Sequence, residues 1–126
     1  MRKAAQVITG VVKGIGYAIE GYLGAFREDR HFRINLFLSL TGTLLSAALL
    51  EGSLAVIVAL SNYMVLVVEL INTAVERAVD TATSEFKRSA KLAKDASAAA
   101  VLSTGLFALT LDLKFLLPEI LKRLTC

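Results

Sequence analysis

Glu69, Asn72, Glu76 and Asp80 follow one another at i, i+3, i+7 and i+11 in a chain of 126 residues. On an α-helix turning about 100° per residue they fall at about 0°, −60°, −20° and +20°, a single narrow stripe. Asn62, two turns earlier, falls on the same stripe. Carboxylates with an amide between them offer hard oxygen ligands and a proton acceptor, which suits a divalent cation such as Mg²⁺ and general-base work. Glu69 and Glu76 stand roughly 10 Å apart along the axis, too far to share a proton but able to bracket a substrate and its metal. Lys91, Lys94 and Asp95 follow. An ammonium beside a carboxylate there reads as an anion clamp next to an acidic metal site. The same residues also fit blander roles. Glu76 and Asp80 can be solvated edge residues near Arg77 and Lys87, and Asn72 can bridge helices by hydrogen bonds. The lysines can be a simple basic bias with Asp95 as a cap.

What must position this stripe is set by the rest of the chain. Residues of the set AVILMFWYC make up 56% of it and charged residues 20%, with one Pro. That composition excludes a disordered tail and a collagen-like repeat. It also argues against an ordinary soluble domain, since so short a chain needs a polar exterior. No charge occurs from Ile34 to Leu50, from Gly52 to Val68, or from Ala96 to Leu111. Each run reaches the roughly 20 residues that cross a bilayer by borrowing neighbours charged only near the interface. Helices of a soluble bundle would each keep a wet face, and these runs show only Ser, Thr, Asn and Gly as polar breaks. The expectation is an all-α membrane protein, one domain over 1–126, with spans at about 32–51, 53–79 and 95–117. Glu69 then lies roughly 24 Å into the second span, near its inner edge, where a lipid headgroup hydroxyl and a soluble nucleotide can both reach.

Lys and Arg concentrate in residues 1–33 and 77–95, while the first turn holds Glu51 and no basic residue. This places the N-terminus in the cytoplasm and the C-terminus, with Lys114, Lys122 and Arg123, outside. Residues 5–29 alternate Gln6, Thr9, Lys13, Tyr17, Glu20, Gly24 and Arg27 with Val7, Val11, Val12, Ile15, Ala18, Ile19 and Leu23. That period predicts an amphipathic helix lying in the membrane surface. Lys13 and Glu20 interrupt any signal h-region, so no cleaved signal is expected. The glycines between Gly10 and Gly24 fit no phosphate-binding loop and are expected to serve close helix packing. The net charge of +3 is too small for a nucleic-acid footprint, so no nucleic-acid partner is expected, and the one cysteine, Cys126, excludes an internal disulfide.

Two segments resemble a known family. Val68-Glu69-Leu70-Ile71-Asn72-Thr73-Ala74-Val75-Glu76 is similar to the signature E-x-x-N-[ST]-A-[IV]-E of the small bacterial membrane diacylglycerol kinases, which include undecaprenol kinases. Ala93-Lys94-Asp95-Ala96-Ser97-Ala98-Ala99-Ala100-Val101 is similar to their A-K-D motif opening the third span. Gly16-Tyr17 and Asp29-Arg30-His31-Phe32-Arg33 resemble the surface helix and its exit, and the likeness runs over about residues 5–117.

The resemblance implies a homotrimer in the bacterial inner membrane, with active sites at subunit borders. It implies transfer of the γ-phosphoryl group of ATP to a lipid hydroxyl, giving phosphatidic acid or undecaprenyl phosphate. Glu69 would be the general base and Glu76 a Mg²⁺ ligand. Asn72 would orient, Lys94 would neutralise phosphate charge and Asp95 would help place the nucleotide. Lys13 and Tyr17 would contact the nucleotide from the surface helix. One departure concerns the second metal ligand: where the family places a Glu three residues before the Phe-Arg pair, this chain has Asp29, shorter by a methylene, with Glu28 just before it. Asp29 is the expected ligand, with Glu28 able to take its place. Phe32-Arg33-Ile34 and Leu92-Ala93-Lys94-Asp95 look closer to the undecaprenol branch, so the lipid stays open. Other classes that intramembrane carboxylates allow are a small ion-coupled transporter and a non-catalytic assembly protein. A transporter would need polar residues continuing outward, and Ser61, Asn62 and Ser103 are the ones available.

Overall fold

The computed structural model describes residues 2–125, so Cys126 lies outside the described residues. The chain forms α1 (Arg2–Glu28), α2 (Arg30–Leu49), α3 (Gly52–Ala82) and α4 (Arg88–Leu111). Helix α4 continues through a π-helical turn, Asp112–Leu116, into α5 (Leu117–Leu124). No strand occurs among the described residues. Three helices are long and apolar enough to cross a membrane: Arg30–Leu49, Gly52–Ala82 and the continuous Arg88–Leu124.

The breaks between helices are short and have local causes. Asp29 is extended (φ −107°, ψ 116°) and caps α2 by accepting from the backbone amides of His31 and Phe32. Leu50 and Glu51 alone join α2 to α3, and Gly52 enters α3 at φ +58°, a left-handed conformation that L side chains resist. That reversal makes α2 and α3 antiparallel neighbours. The π-helical turn precedes Pro118, whose ring would collide with the carbonyl four residues back in a regular helix. Instead the Leu117 amide reaches back to the Asp112 carbonyl, one residue farther than α-helical spacing.

Two expectations are corrected by these bounds. Helix α3 runs on to Ala82 and α4 begins at Arg88, so the connecting segment is 83–87, shorter than the 80–94 left between the expected spans. Ser89 to Lys94 contains no Gly, Pro or β-branched residue, and winding it extends α4 by about two turns before the apolar run. Lys91, Lys94 and Asp95 therefore sit on a rigid helix. The glycines of α1 do not pack within the chain: a Cβ at Gly10, Gly14, Gly16 or Gly21 would meet nothing within 4 Å, and one at Gly24 would touch only Arg77.

Packing centres on Phe32, 1% exposed, which joins Ala25 of α1 to Leu66 of α3, with Leu36 and Leu70 alongside. Tyr22 of α1 tilts onto the same ring, centroids 6.3 Å apart. Farther along, Gly42 of α2 faces Asn62 of α3, whose amide donates to Asp112 Oδ1 at 2.8 Å and to the Val58 carbonyl at 3.1 Å. A Cβ at Gly42 would fall onto that amide. Gly42→Ala is expected to lower stability by about 1–3 kcal/mol through overpacking. Adding Asn62→Ala to it should cost less than the two single changes summed, read by unfolding in detergent.

Candidate active site

The stripe expected from the sequence is present, and its depth is graded. On α3, Glu69 is 2% exposed and Asn72 and Thr73 are buried, while Glu76 is half-buried and Asp80 exposed. Each member has a distinct partner. The Asn35 side chain of α2 hydrogen-bonds the Glu69 carboxylate, with Asp29, His31 and Glu76 in electrostatic reach. Asn72 Oδ1 accepts from Ser97 Oγ of α4 at 2.7 Å. Thr73 Oγ1 donates to Asp29 Oδ2 at 2.7 Å. Asp80 accepts from Lys94 Nζ at 2.9 Å and 3.1 Å. Among the described residues Glu76 has neither a hydrogen-bond partner nor an ion pair, which leaves its oxygens available.

Two clefts open on this face and share Asp80. One, of about 380 Å³, is lined by Glu28, Asp29, Arg30, His31, Thr73, Glu76 and Arg77 together with Asp80. The other, of about 500 Å³, lies between the end of α3 and the start of α4, with Phe86, Lys87, Lys91, Lys94 and Asp95 on its wall. The first is a pocket of carboxylates rimmed by cations; the second presents ammonium groups and an aromatic ring.

The second-ligand question turns on how Asp29 and Glu28 are engaged. Asp29 Oδ1 accepts from the amides of His31 (2.8 Å) and Phe32 (3.2 Å), and Oδ2 accepts from Thr73. A carboxylate has about four acceptor positions, so one remains for a metal. Glu28 pairs with Arg77 Nη2 at 2.9 Å, and the same nitrogen lies 3.4 Å from the Gly24 carbonyl. No group of three Asp, Glu, His or Cys side chains converges on one point among the described residues. The donor set fits Mg²⁺, which takes one or two carboxylates and completes its shell with phosphates and water.

Other expected residues are placed differently. Asp95 faces Lys91 in an ion pair one turn back along α4. Lys13 and Tyr17 lie on an exposed stretch of α1 and line neither cleft. Asn35, Arg77 and Ser97 are site residues that the sequence reading did not single out. For Asn35 a signal existed, since it is the one amide in the uncharged run from Ile34 to Leu50.

Comparison with known proteins matches residues 16–116 to the prokaryotic diacylglycerol kinase family. The chain belongs to that family. It is 34% identical over 122 residues to a diacylglycerol kinase of Synechocystis sp., covering 95% of this chain and 70% of the relative. It is 35% identical over 94 residues to one from Pseudomonas aeruginosa, covering 71% and 74%. It is 30% identical over 95 residues to one from Escherichia coli, covering 75% and 78%. The family is one of lipid kinases, and with three helices able to cross a membrane it identifies an inner-membrane protein.

Within this member of the family Asp29 combines a structural and a chemical position. Burial pushes its carboxyl up, but hydrogen bonds from Thr73 and from the Phe32 and His31 amides outweigh this and hold it below its ordinary value. The stabilisation this carboxylate gives is therefore present above the ordinary carboxylate range and is lost as pH falls through its folded value. Asp29→Ala is expected to cost about 1 kcal/mol through the lost cap, whereas Asp29→Asn keeps the cap. The stability difference between wild type and Asp29→Asn should shrink on acidification. Thermal unfolding in detergent across pH checks both.

Proposed function

We propose that the protein is an ATP-dependent lipid kinase that moves the γ-phosphoryl group onto the hydroxyl of a membrane lipid, diacylglycerol or undecaprenol. The observation that carries this reading is Glu69, a buried carboxylate inside an apolar helix, one helical turn from Thr73, which lines the acidic cleft. A base there meets a lipid hydroxyl at the membrane edge, while the clefts admit a nucleotide from the cytoplasm.

Glu69 takes the proton of the lipid hydroxyl as its oxygen attacks the γ-phosphorus, and the bond to the β–γ bridging oxygen breaks to leave ADP. Asn35 keeps the Glu69 carboxylate oriented. Phosphoryl transfer needs positioning and charge stabilisation and no covalent nucleophile, which matches a site made of carboxylates, amides and cations. Glu76 and Asp29, or Glu28 in its place, would hold Mg²⁺, which supplies charge neutralisation on the phosphates. Lys94 turns its ammonium from Asp80 toward the phosphates, and Asp95 and Asn72 place the nucleotide. Lys13 and Tyr17, remote from both clefts of their own chain, act on the site of a neighbouring subunit in a homotrimer. Helix α1 lies in the cytoplasmic membrane surface, and the C-terminus lies outside.

In mixed micelles with Mg²⁺ and labelled ATP, the purified protein should transfer label to a lipid alcohol. Glu69→Gln should lower turnover by about 10²–10⁴-fold while the oligomer persists on size exclusion. Full turnover in that variant would remove Glu69 from the role of base.

A further inference from the structure

The acidic cleft of about 380 Å³ contains a cation that the packing of the helices does not account for. Arg30, the first residue of α2, lines this cleft alongside Glu76. The other permanent cations nearby are committed. Arg77 holds Glu28 at 2.9 Å, and Lys94 of α4 holds Asp80 at 2.9 Å. Arg33, three residues farther along α2, donates to the Phe26 and Arg27 carbonyls at the end of α1, at 2.9 Å and 3.2 Å. Among the described residues the Arg30 guanidinium makes no ion pair and no hydrogen bond.

Its position brings the fold no gain. The first turn of a helix is the positive end of its dipole, which disfavours a cation. The amides of that turn are occupied, since Asp29 Oδ1 accepts from His31 and Phe32. Asp29, the adjacent acid, turns its other oxygen to Thr73 Oγ1. Glu76 lines the same cleft and does not pair with Arg30, so a free carboxylate and a free guanidinium are held apart across one open space. Such a space complements a ligand that carries a cation on one part and an anion on another, as a metal-bound polyphosphate does.

We infer that Arg30 binds the β-phosphate of the nucleotide, the phosphate common to ATP and to the ADP that leaves. The inference rests on the ATP-dependent kinase reading and extends it to a residue beyond the base and the metal ligands. Which phosphate Arg30 meets follows from the depth of the groups. Glu69 and Thr73 are buried, Glu76 is half-buried and Arg30 is exposed. The γ-phosphoryl group has to meet the lipid hydroxyl at Glu69, so it takes the end of the cleft at Thr73, one helical turn from Glu69. The next phosphate then lies toward the rim. There a guanidinium gives two parallel hydrogen bonds to phosphate oxygens. When the bond from the γ-phosphorus to the bridging oxygen breaks, its electron pair stays with ADP. Negative charge gathers on the β-phosphate, and a cation held there stabilises the transition state more than the ground state.

The test compares wild type, Arg30→Gln and Arg30→Lys in mixed micelles with Mg²⁺. Binding of ATP, ADP and AMP is measured without lipid alcohol, and kcat and the KM values for MgATP and for the lipid are measured beside it. Arg30→Gln should weaken ATP and ADP binding about tenfold or more, the scale of a charged hydrogen bond, and leave AMP binding as it was. Its kcat should fall by about tenfold as well, with the KM for the lipid unchanged. Arg30→Lys keeps the charge without the planar fork and should recover part of the loss. The unfolding temperature of Arg30→Gln should not drop, since the guanidinium has no protein partner to lose. ADP affinity equal in wild type and Arg30→Gln, a loss that extends equally to AMP, or a changed KM for the lipid with nucleotide affinities intact would each overturn the inference and leave the kinase reading in place. Transfer from ATP to no lipid alcohol by the wild type would instead overturn the kinase reading itself.

Discussion

Inside a bilayer no water is available to a stranded polar group, and the rest of the structure follows from satisfying one of them, the Glu69 carboxylate. Its solution is an amide from α2, Asn35. Around it the bundle is tied at successive heights. Lys94 meets Asp80 near the C-terminal end of α3, Ser97 meets Asn72 and Thr73 meets Asp29 farther back along it, and Asn62 meets Asp112 nearer its N-terminal end. Apolar contacts between lipid-facing helices carry little register information, because lipid tails are as apolar as leucine. These polar ties fix which turn of α2 and of α4 lies beside which turn of α3. The groups that set the fold's register are therefore the same groups that make up the site.

Helix α1 is attached by different means. The Arg77–Glu28 pair is 48% and 70% exposed at its side chains, and pairs of that kind contribute little. What holds α1 is the insertion of Ala25 beside Phe32 and the Tyr22 ring over it. Both contacts lie in the last two turns before Asp29. Its earlier part shows exposed apolar side chains, Val7, Ile8, Val11, Val12 and Ile15, with nothing in the chain to cover them. Such a helix is anchored at one end only, and the glycines of its outer turns meet no packing partner among the described residues.

Much of the fold was legible because its signals are periodic. Uncharged runs marked the spans, and the recurrence of Glu69, Asn72, Glu76 and Asp80 marked the face of α3 that turns inward. The boundaries were less legible where charge misleads. Residues 80–94 fall between the expected spans because lysines crowd there, yet Ala, Leu and Lys wind well, and the helix extends past the apolar run to Arg88. Partners across helices were the least legible. Nothing in the spacing of Asn35 says that it meets a residue thirty-four positions later, because register between helices is a tertiary property.

The charges of the two clefts that share Asp80 place a condition on the proposed chemistry. Glu28, Asp29, Glu76 and Asp80 line one cleft against Arg30, His31 and Arg77, and two of the acids already have cationic partners. A triphosphate entering beside Glu76 would meet like charge unless a cation lay between them. Lys94 alone cannot supply it while it bonds Asp80, and Arg77 is turned toward Glu28. Admission of the nucleotide thus requires a divalent ion on Glu76, rearrangement of one of these ion pairs, or both. Since both pairs are exposed, either can be exchanged at small cost. The buried Glu69–Asn35 contact cannot be exchanged so cheaply. The arrangement separates one buried, fixed carboxylate from adjustable charges at the exposed end of the bundle.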